Sequence, residues 1–450
     1  MNMRLLKNIE IVMVCVMVQL MVLSSALTAA PVVGIYCGKG VTAGYLWHAY
    51  PLESRNIPIC FFTEKDAESL NNVDVICFPS GGMYKRHISL TGRKHLKQLI
   101  REKGVGYLGT CGGNVFGCKL GLLDADLMKA EQGYPFGVQI NGYPEMKVEG
   151  QNSECHPAMK NAPDMIRPFY YWGQVFTRTG PDVTVLATYK QMDNCFTFDG
   201  ILYQGKSHEK MSGRPGMIAG QYGKGRVILS GPHPELGEEQ LFTDWIYYLS
   251  GSRHDSDQLC KTNFTPSETA IQSDSRASGN TALSVLKSQI ESFKKEVAPY
   301  EKTIRPDYER RWKHGITTGI PIFVIFTDIC DRLKTIEQSI SFFEKHPEAE
   351  QTVLSEPVSE QYVRQIRDAR NKFSDGVCHL EKSREILRKI EKNISDKIEC
   401  DRLKKTLYSA SYKKLISDFK SVNLCLIRLD HHFRSRGSVG SRGSGSANQL

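Results

Sequence analysis

An apolar run at residues 105–108 breaks directly into Gly109-Thr110-Cys111-Gly112-Gly113, ahead of a segment able to start a helix at Val115. Few patterns restrict a chain more. Glycines on both sides of a cysteine allow a turn too tight for neighbouring Cβ atoms. Placed between a buried strand and a helix, such a turn lifts the cysteine out of the sheet at the strand's C-terminal edge. A helix N-terminus facing a sulfur favours the reactive thiolate form. The amide of Gly112 would point at the oxyanion that forms when a carbonyl is attacked. Cys111 is therefore the candidate nucleophile.

The surroundings fit a parallel sheet. Residues 31–36, 57–62 and 73–78 are short apolar runs, and residues 95–103 place Leu96, Leu99 and Ile100 on one helical face. Short buried strands alternating with helices predict a flavodoxin-like, doubly wound α/β fold covered on both faces. Residues 134–230 differ. Alternating runs at 184–189 and 216–219, with many Gly and Tyr, predict a β-rich insertion, mixed or antiparallel, before a last core strand at 226–230. Residues 253–282 have linker composition, rich in Ser, Asp, Thr and Asn.

Beyond that linker the period becomes helical. Ile386, Ile390, Ile394 and Ile398 fall at four-residue steps, and Val363, Ile366 and Phe373 extend a second stripe. Such stripes predict the core of a separate all-α region over 283–435. Residues 320–326 are apolar but too few to cross a membrane, so they read as buried helix. Residues 436–450 are rich in Ser and Gly and read as a disordered tail.

At the N-terminus, Arg4 and Lys7 precede an apolar run at 11–23, and small residues follow. Residues 1–30 thus read as a secretory signal peptide. The expectation is export, periplasmic or secreted. The alternative is anchoring to a membrane by an uncleaved N-terminal segment. Thirteen cysteines occur without a CxxC pair or zinc-ligand spacing. No metal site and no cofactor is expected. Cys37, Cys60 and Cys77 sit in apolar runs, whereas Cys155 and Cys195 lie in a loop-rich region and are the disulfide candidates. Of the net charge of +9, residues 281–450 carry 31 Lys and Arg against 23 Asp and Glu. The signs interleave, as on a solvated helical surface. The expected partner of this region is a protein or an anionic surface; no nucleic-acid motif is present.

Two further elements complete the chemistry. Ser80-Gly81-Gly82 follows the run at 73–78, at the sheet edge where ligands bind. The Gly81 and Gly82 amides could supply the second half of an oxyanion site, or simply form a tight turn. The run at 226–230 ends in Gly231, with His233 and Glu235 directly after it. A thiol nucleophile needs a base within reach, and the base needs an orienting acid. Tyr170, Tyr171 and Trp172 form an aromatic cluster expected to pack in the core. His208, His254, His431 and His432 are assigned no role.

The elbow and the His-Pro-Glu terminus resemble class I glutamine amidotransferases. More narrowly, residues 31–250 resemble the amidotransferase-like domain found at the N-terminus of eukaryotic biotin–protein ligases and in free-standing bacterial proteins. The segments YCGKGV at 36–41, FPSGG at 78–82, YLGTCGG at 107–113 and YGKGRVILSGPHPE at 222–235 carry this resemblance. It implies a Cys111–His233–Glu235 triad acting on a small amide or peptide. The family elbow usually has Ala where this chain has Gly112, and glycine keeps the turn feasible. No ligase or synthetase domain follows to accept ammonia. The resemblance therefore implies an exported, cysteine-dependent amide hydrolase. The alternative is a catalytically idle binding module coupled to a basic helical interaction domain.

Overall fold

Continuous apolar runs become strands covered on both faces. β1 (Val33–Tyr36), β3 (Val75–Phe78) and β4 (Gly106–Thr110) are buried at every position. β2 (Ile59–Phe62), at the sheet edge, is half-exposed. The computed structural model describes residues 30–129, 140–150, 155–192, 195–197, 200–203, 207–251, 279–346, 356–393, 395–407 and 412–437. All but the last residue of the expected signal peptide, most of the linker and most of the C-terminal tail lie outside them.

The main sheet has nine strands in the order β2-β1-β3-β4-β13-β12-β11-β7-β8, with β7 at Glu145–Val148, β8 at Met165–Ile166, β11 at Thr184–Gln191, β12 at Pro215–Tyr222 and β13 at Gly225–Ser230. The first five are parallel. The remaining four add antiparallel pairs. This is a flavodoxin-like doubly wound core with an antiparallel extension. Two small pairs flank it: β5 (Ala125–Leu127) with β10 (Phe176–Thr179), and β6 (Asn141–Gly142) with β9 (Tyr170–Tyr171).

Register positions the site. Phe78 lies opposite Gly109, and Thr110 lies opposite Ser230. The C-terminal ends of β3, β4 and β13 therefore stop side by side. The segments that follow each strand share one edge.

Helices cover the sheet: α1 (Gly44–Glu53), the short α2 (Tyr84–His87), α3 (Leu90–Lys103), α4 (Gly112–Leu120) and α5 (Glu239–Ser250). α3 starts earlier than its apolar spacing predicts, because the Ser89 hydroxyl accepts the Gly92 amide at 2.9 Å and caps it. It ends at Gly104, whose φ of +72° suits glycine.

The C-terminal region is all helical: α6 (Gly279–Lys313), α7 (Ile320–Lys345), α8 (Glu356–Lys392), α9 (Lys397–Leu407) and α10 (Lys413–Gly437). Residues 320–326 form the buried first turns of α7. Ile366, Phe373 and Ile390 are buried, and Phe373 stacks on Phe419 at 5.4 Å. The isoleucine stripe stops there. Ile398 is 85% exposed, because α8 ends at Lys392 and α9 begins at Lys397, which breaks the four-residue register. Ile394 lies outside the described residues.

These helices dock on the α/β unit through a buried polar cluster. Arg332 donates to both oxygens of Glu53 at 2.8 and 2.7 Å and to Asp430 at 2.6 Å. Tyr45 donates to Asn423 at 2.7 Å, and Asn423 donates to Asp328. His431 bonds Glu53 at 2.9 Å and so has a place at this interface that its sequence context does not indicate.

Cys155 and Cys195 do not form a disulfide. The Cys155 thiol faces the His156 carbonyl, and Cys195 is buried. Among the described residues, no helix is long and apolar enough to cross a membrane.

Candidate active site

Cys111 closes β4 and opens α4 with φ +49° and ψ −108°. A non-glycine residue held there costs on the order of 1–3 kcal/mol, so its surroundings must enforce it. They do so by hydrogen bonding and close packing. The Cys111 amide donates to the Ser230 carbonyl at 2.8 Å, tying the elbow to β13. A Cβ on Gly112 would collide with the Gly81 carbonyl, and one on Gly113 with the Phe78 carbonyl. The backbone at 78–81 thus occupies the space that side chains at 112 and 113 would need. Tyr107 donates to the Gly113 carbonyl at 2.8 Å and holds the first turn of α4.

The His-Pro-Glu segment meets this elbow. The His233 amide donates to the Phe169 carbonyl at 2.7 Å, and its ring meets the edge of Trp47 at 5.5 Å. His233 Nδ1 donates to Glu235 Oε1 at 2.7 Å, with both side chains fully buried. Nδ1 is thereby committed to the carboxylate, and Nε2 is the remaining ring nitrogen, fully buried. Burial alone would lower the imidazole's pKa. The Glu235 carboxylate and the neighbouring Cys111 outweigh it and raise His233 to about 10. Burial likewise opposes ionisation of Glu235, yet His233 and His48 hold its carboxyl well below the usual range.

Two further members of this cluster, Thr110 and His48, have no motif in the sequence. Thr110 donates to Glu235 Oε1 at 3.2 Å. His48 Nε2 lies 2.8 Å from the Thr110 hydroxyl and 3.3 Å from Glu235 Oε1. With the hydroxyl proton directed to Glu235, His48 is the donor to Thr110. Two donors, His233 and Thr110, thus converge on one carboxylate oxygen, and His48 stands behind Thr110, which holds Glu235 in place. The clue to His48 was local: it is a polar residue in α1, a helix buried on nearly every side.

The Gly81–Gly82 loop lies where the sequence suggests but divides its work. The Gly82 amide donates to the Gly40 carbonyl at 3.0 Å, so Gly82 fixes the loop and does not face an oxyanion. Gly81 lies against the elbow, its nitrogen 2.8 Å from where a Gly112 Cβ would be. Tyr170 is core, as expected. Its neighbours are not simply packing residues. The Cys111 sulfur faces the Tyr171 carbonyl at 3.6 Å and the Trp172 carbonyl at 3.9 Å, and Trp172 has φ +52°. Their backbone walls the site, and Cys111 is only 8% exposed. Among the described residues, no cluster of three His, Cys, Asp or Glu is placed to hold a metal ion.

No family model matches this chain, and no curated protein matches it. Among solved structures, PurLQS from Thermotoga maritima is similar at 18% identity and a TM-score of 0.36, over 49% of this chain and 100% of that one. A glutamine amidotransferase is similar at 20% identity and a TM-score of 0.34, over 49% of this chain and 98% of that one.

Proposed function

We propose that this protein is a cysteine-dependent amide hydrolase of the glutamine amidotransferase type, acting on a small amide or peptide. The observation that carries this is the strained backbone of Cys111 at a strand-to-helix elbow, facing a buried His233–Glu235 pair. Packing alone gives no reason to hold a cysteine at φ +49° beside an imidazole whose other nitrogen is locked to a carboxylate.

In the reaction, the Cys111 sulfur adds to the amide carbonyl carbon. Negative charge moves to the carbonyl oxygen, which lies against the Gly112 and Gly81 amides. His233 Nε2 passes a proton to the departing nitrogen, the C–N bond breaks, and a thioester remains. Water then loses a proton to His233, adds to the thioester and releases the acid. Glu235, steadied by Thr110 and His48, keeps His233 oriented throughout.

The finer kinship, on this reading, is with the biotin–protein ligase N-terminal type, supported by the four motif segments. The basic segment and apolar run at residues 4–23 support export. The test is alkylation by iodoacetamide near neutral pH, read by peptide mass mapping, together with ammonia release from a panel of small amides. Cys111 should label faster than the other cysteines, and Cys111→Ala should abolish both signals. Labelling of Cys111 at no more than the common rate, with no Cys111-dependent ammonia release, would leave a binding module in place of an enzyme.

A further inference from the structure

We propose that Lys420, on helix α10 of the C-terminal region, is a positioning residue for the oxyanion pocket. It would act by fixing the loop at 38–41 against which the Gly81–Gly82 loop is built. The inference rests on the hydrolase reading above.

Lys420 reaches from the helical region into the α/β unit. Its ammonium donates to the Gly38 carbonyl at 2.6 Å and to the Val41 carbonyl at 3.1 Å, and sits 5.6 Å from the centre of the Tyr45 ring. The loop it holds follows β1, at the switch point of the sheet between β1 and β3. All four carbonyls from 38 to 41 have a donor. Tyr36 serves Lys39, the Gly82 amide serves Gly40, and Lys420 serves the other two. Remove Lys420 and half of the loop's acceptors lose their partner.

From there the packing is direct. Gly40 accepts Gly82, a Cβ on Gly81 would collide with the Gly40 carbonyl, and one on Gly44 would collide with the Ser80 hydroxyl. The loops at 38–44 and 80–82 therefore move together or not at all. The Gly81 carbonyl in turn fills the space beside Gly112. One lysine thus connects the helical region to the amides that receive the oxyanion. Burial lowers the ammonium to about 8 despite Cys37 and Glu64, which raise it, so the charge is held there against a desolvation cost. A lysine kept in such a place serves the carbonyls it touches.

The test separates two reactions of Cys111 in the full-length protein. Alkylation by iodoacetamide passes through no oxyanion; acylation by p-nitrophenyl acetate does. Lys420→Met should lower the acylation rate roughly 10–100-fold, below the full loss of an oxyanion donor, while alkylation stays within about 2-fold of wild type. Lys420→Arg, which keeps the charge and two donors, should recover most of the acylation rate. Thermal unfolding checks the fold; if Lys420→Met does not fold, Lys420→Gln takes its place. Acylation equal to wild type, or acylation and alkylation falling together, overturns the proposal while leaving the hydrolase reading intact. Wild-type protein whose acylation does not depend on Cys111 overturns both.

Discussion

Replacing Glu235 with Gln tests the electrostatics of the site most directly. The change keeps the shape, and the amide oxygen can still accept from His233 and Thr110. It removes the charge and puts amide N–H donors where Glu235 Oε2 is buried without a partner. His233 is raised from 6.5 to about 10 against the effect of its own burial. Each pKa unit is worth ~1.4 kcal/mol, so the carboxylate and Cys111 together give the charged imidazole a preference of several kcal/mol. Without the carboxylate, burial dominates and His233 falls to the ordinary histidine range or below. The imidazole then turns neutral near pH 7, no charge is stranded, and the stability loss is modest, roughly 1–3 kcal/mol.

The pH dependence follows from the signs. His233 is raised, so its contribution is complete below about 6.5 and is lost as pH rises through about 10. Glu235 is lowered, so its contribution is present above its ordinary value of 4.5 and is lost as pH falls toward its depressed one. Wild-type protein should show both limbs, and Glu235→Gln should lose the part of each that this pair supplies. The assay is nuclear magnetic resonance of isotope-labelled histidine in the Cys111→Ala background and in the native chain, paired with iodoacetamide labelling of Cys111. Labelling at pH 7 should fall about 10–100-fold in Glu235→Gln, less than the roughly 10²–10⁴-fold of a lost acid–base group, because His233 itself remains. A wild-type His233 that titrates near 6.5, or a Glu235→Gln titration that does not move, would refute the reasoning.

Gly112→Ala restores the residue usual in the resembling family but drives a Cβ into the Gly81 carbonyl; urea denaturation should show a loss of roughly 1–3 kcal/mol from overpacking, and a loss under 0.5 would mean that the two loops are not in contact. Glu53→Gln tests the docking of the helical region. Burial opposes ionisation of Glu53, but His431 and Arg332 lower it from 4.5 to about 2, on the order of 3 kcal/mol at ~1.4 per unit. That contribution is present above pH 4.5 and lost as pH falls toward 2, so Glu53→Gln should flatten the acid limb of a stability profile. After protease cleavage within 252–278, the two wild-type halves should co-elute in gel filtration at pH 7 and come apart more readily in Glu53→Gln.

The sequence by itself determined the elements whose causes are local. Apolar runs set the strands β1 to β4 and β13, because a strand packed in the sheet interior, or against its edge as β2 is, must be largely apolar. Glycines marked the elbow, because no other residue leaves room for the backbone that crosses behind it. His233 and Glu235 were legible since they follow one strand end two residues apart. The helical stripe was legible through Phe373 and Ile390 and failed at Ile398, where a helix break reset the register. What tertiary structure alone decided depends on partners far apart in the chain. Thr110 and His48 reach Glu235 from separate elements, and neither has a pattern that announces it. Gly82 proved to be a fastener because Gly40 took its amide, which depends on how two loops settle together. Lys420 lies hundreds of residues from Gly38 and Val41, and on its own helix it reads as one more surface lysine. Periodicity reports the face that a residue presents. Only packing decides which carbonyl, carboxylate or sulfur waits on the other side.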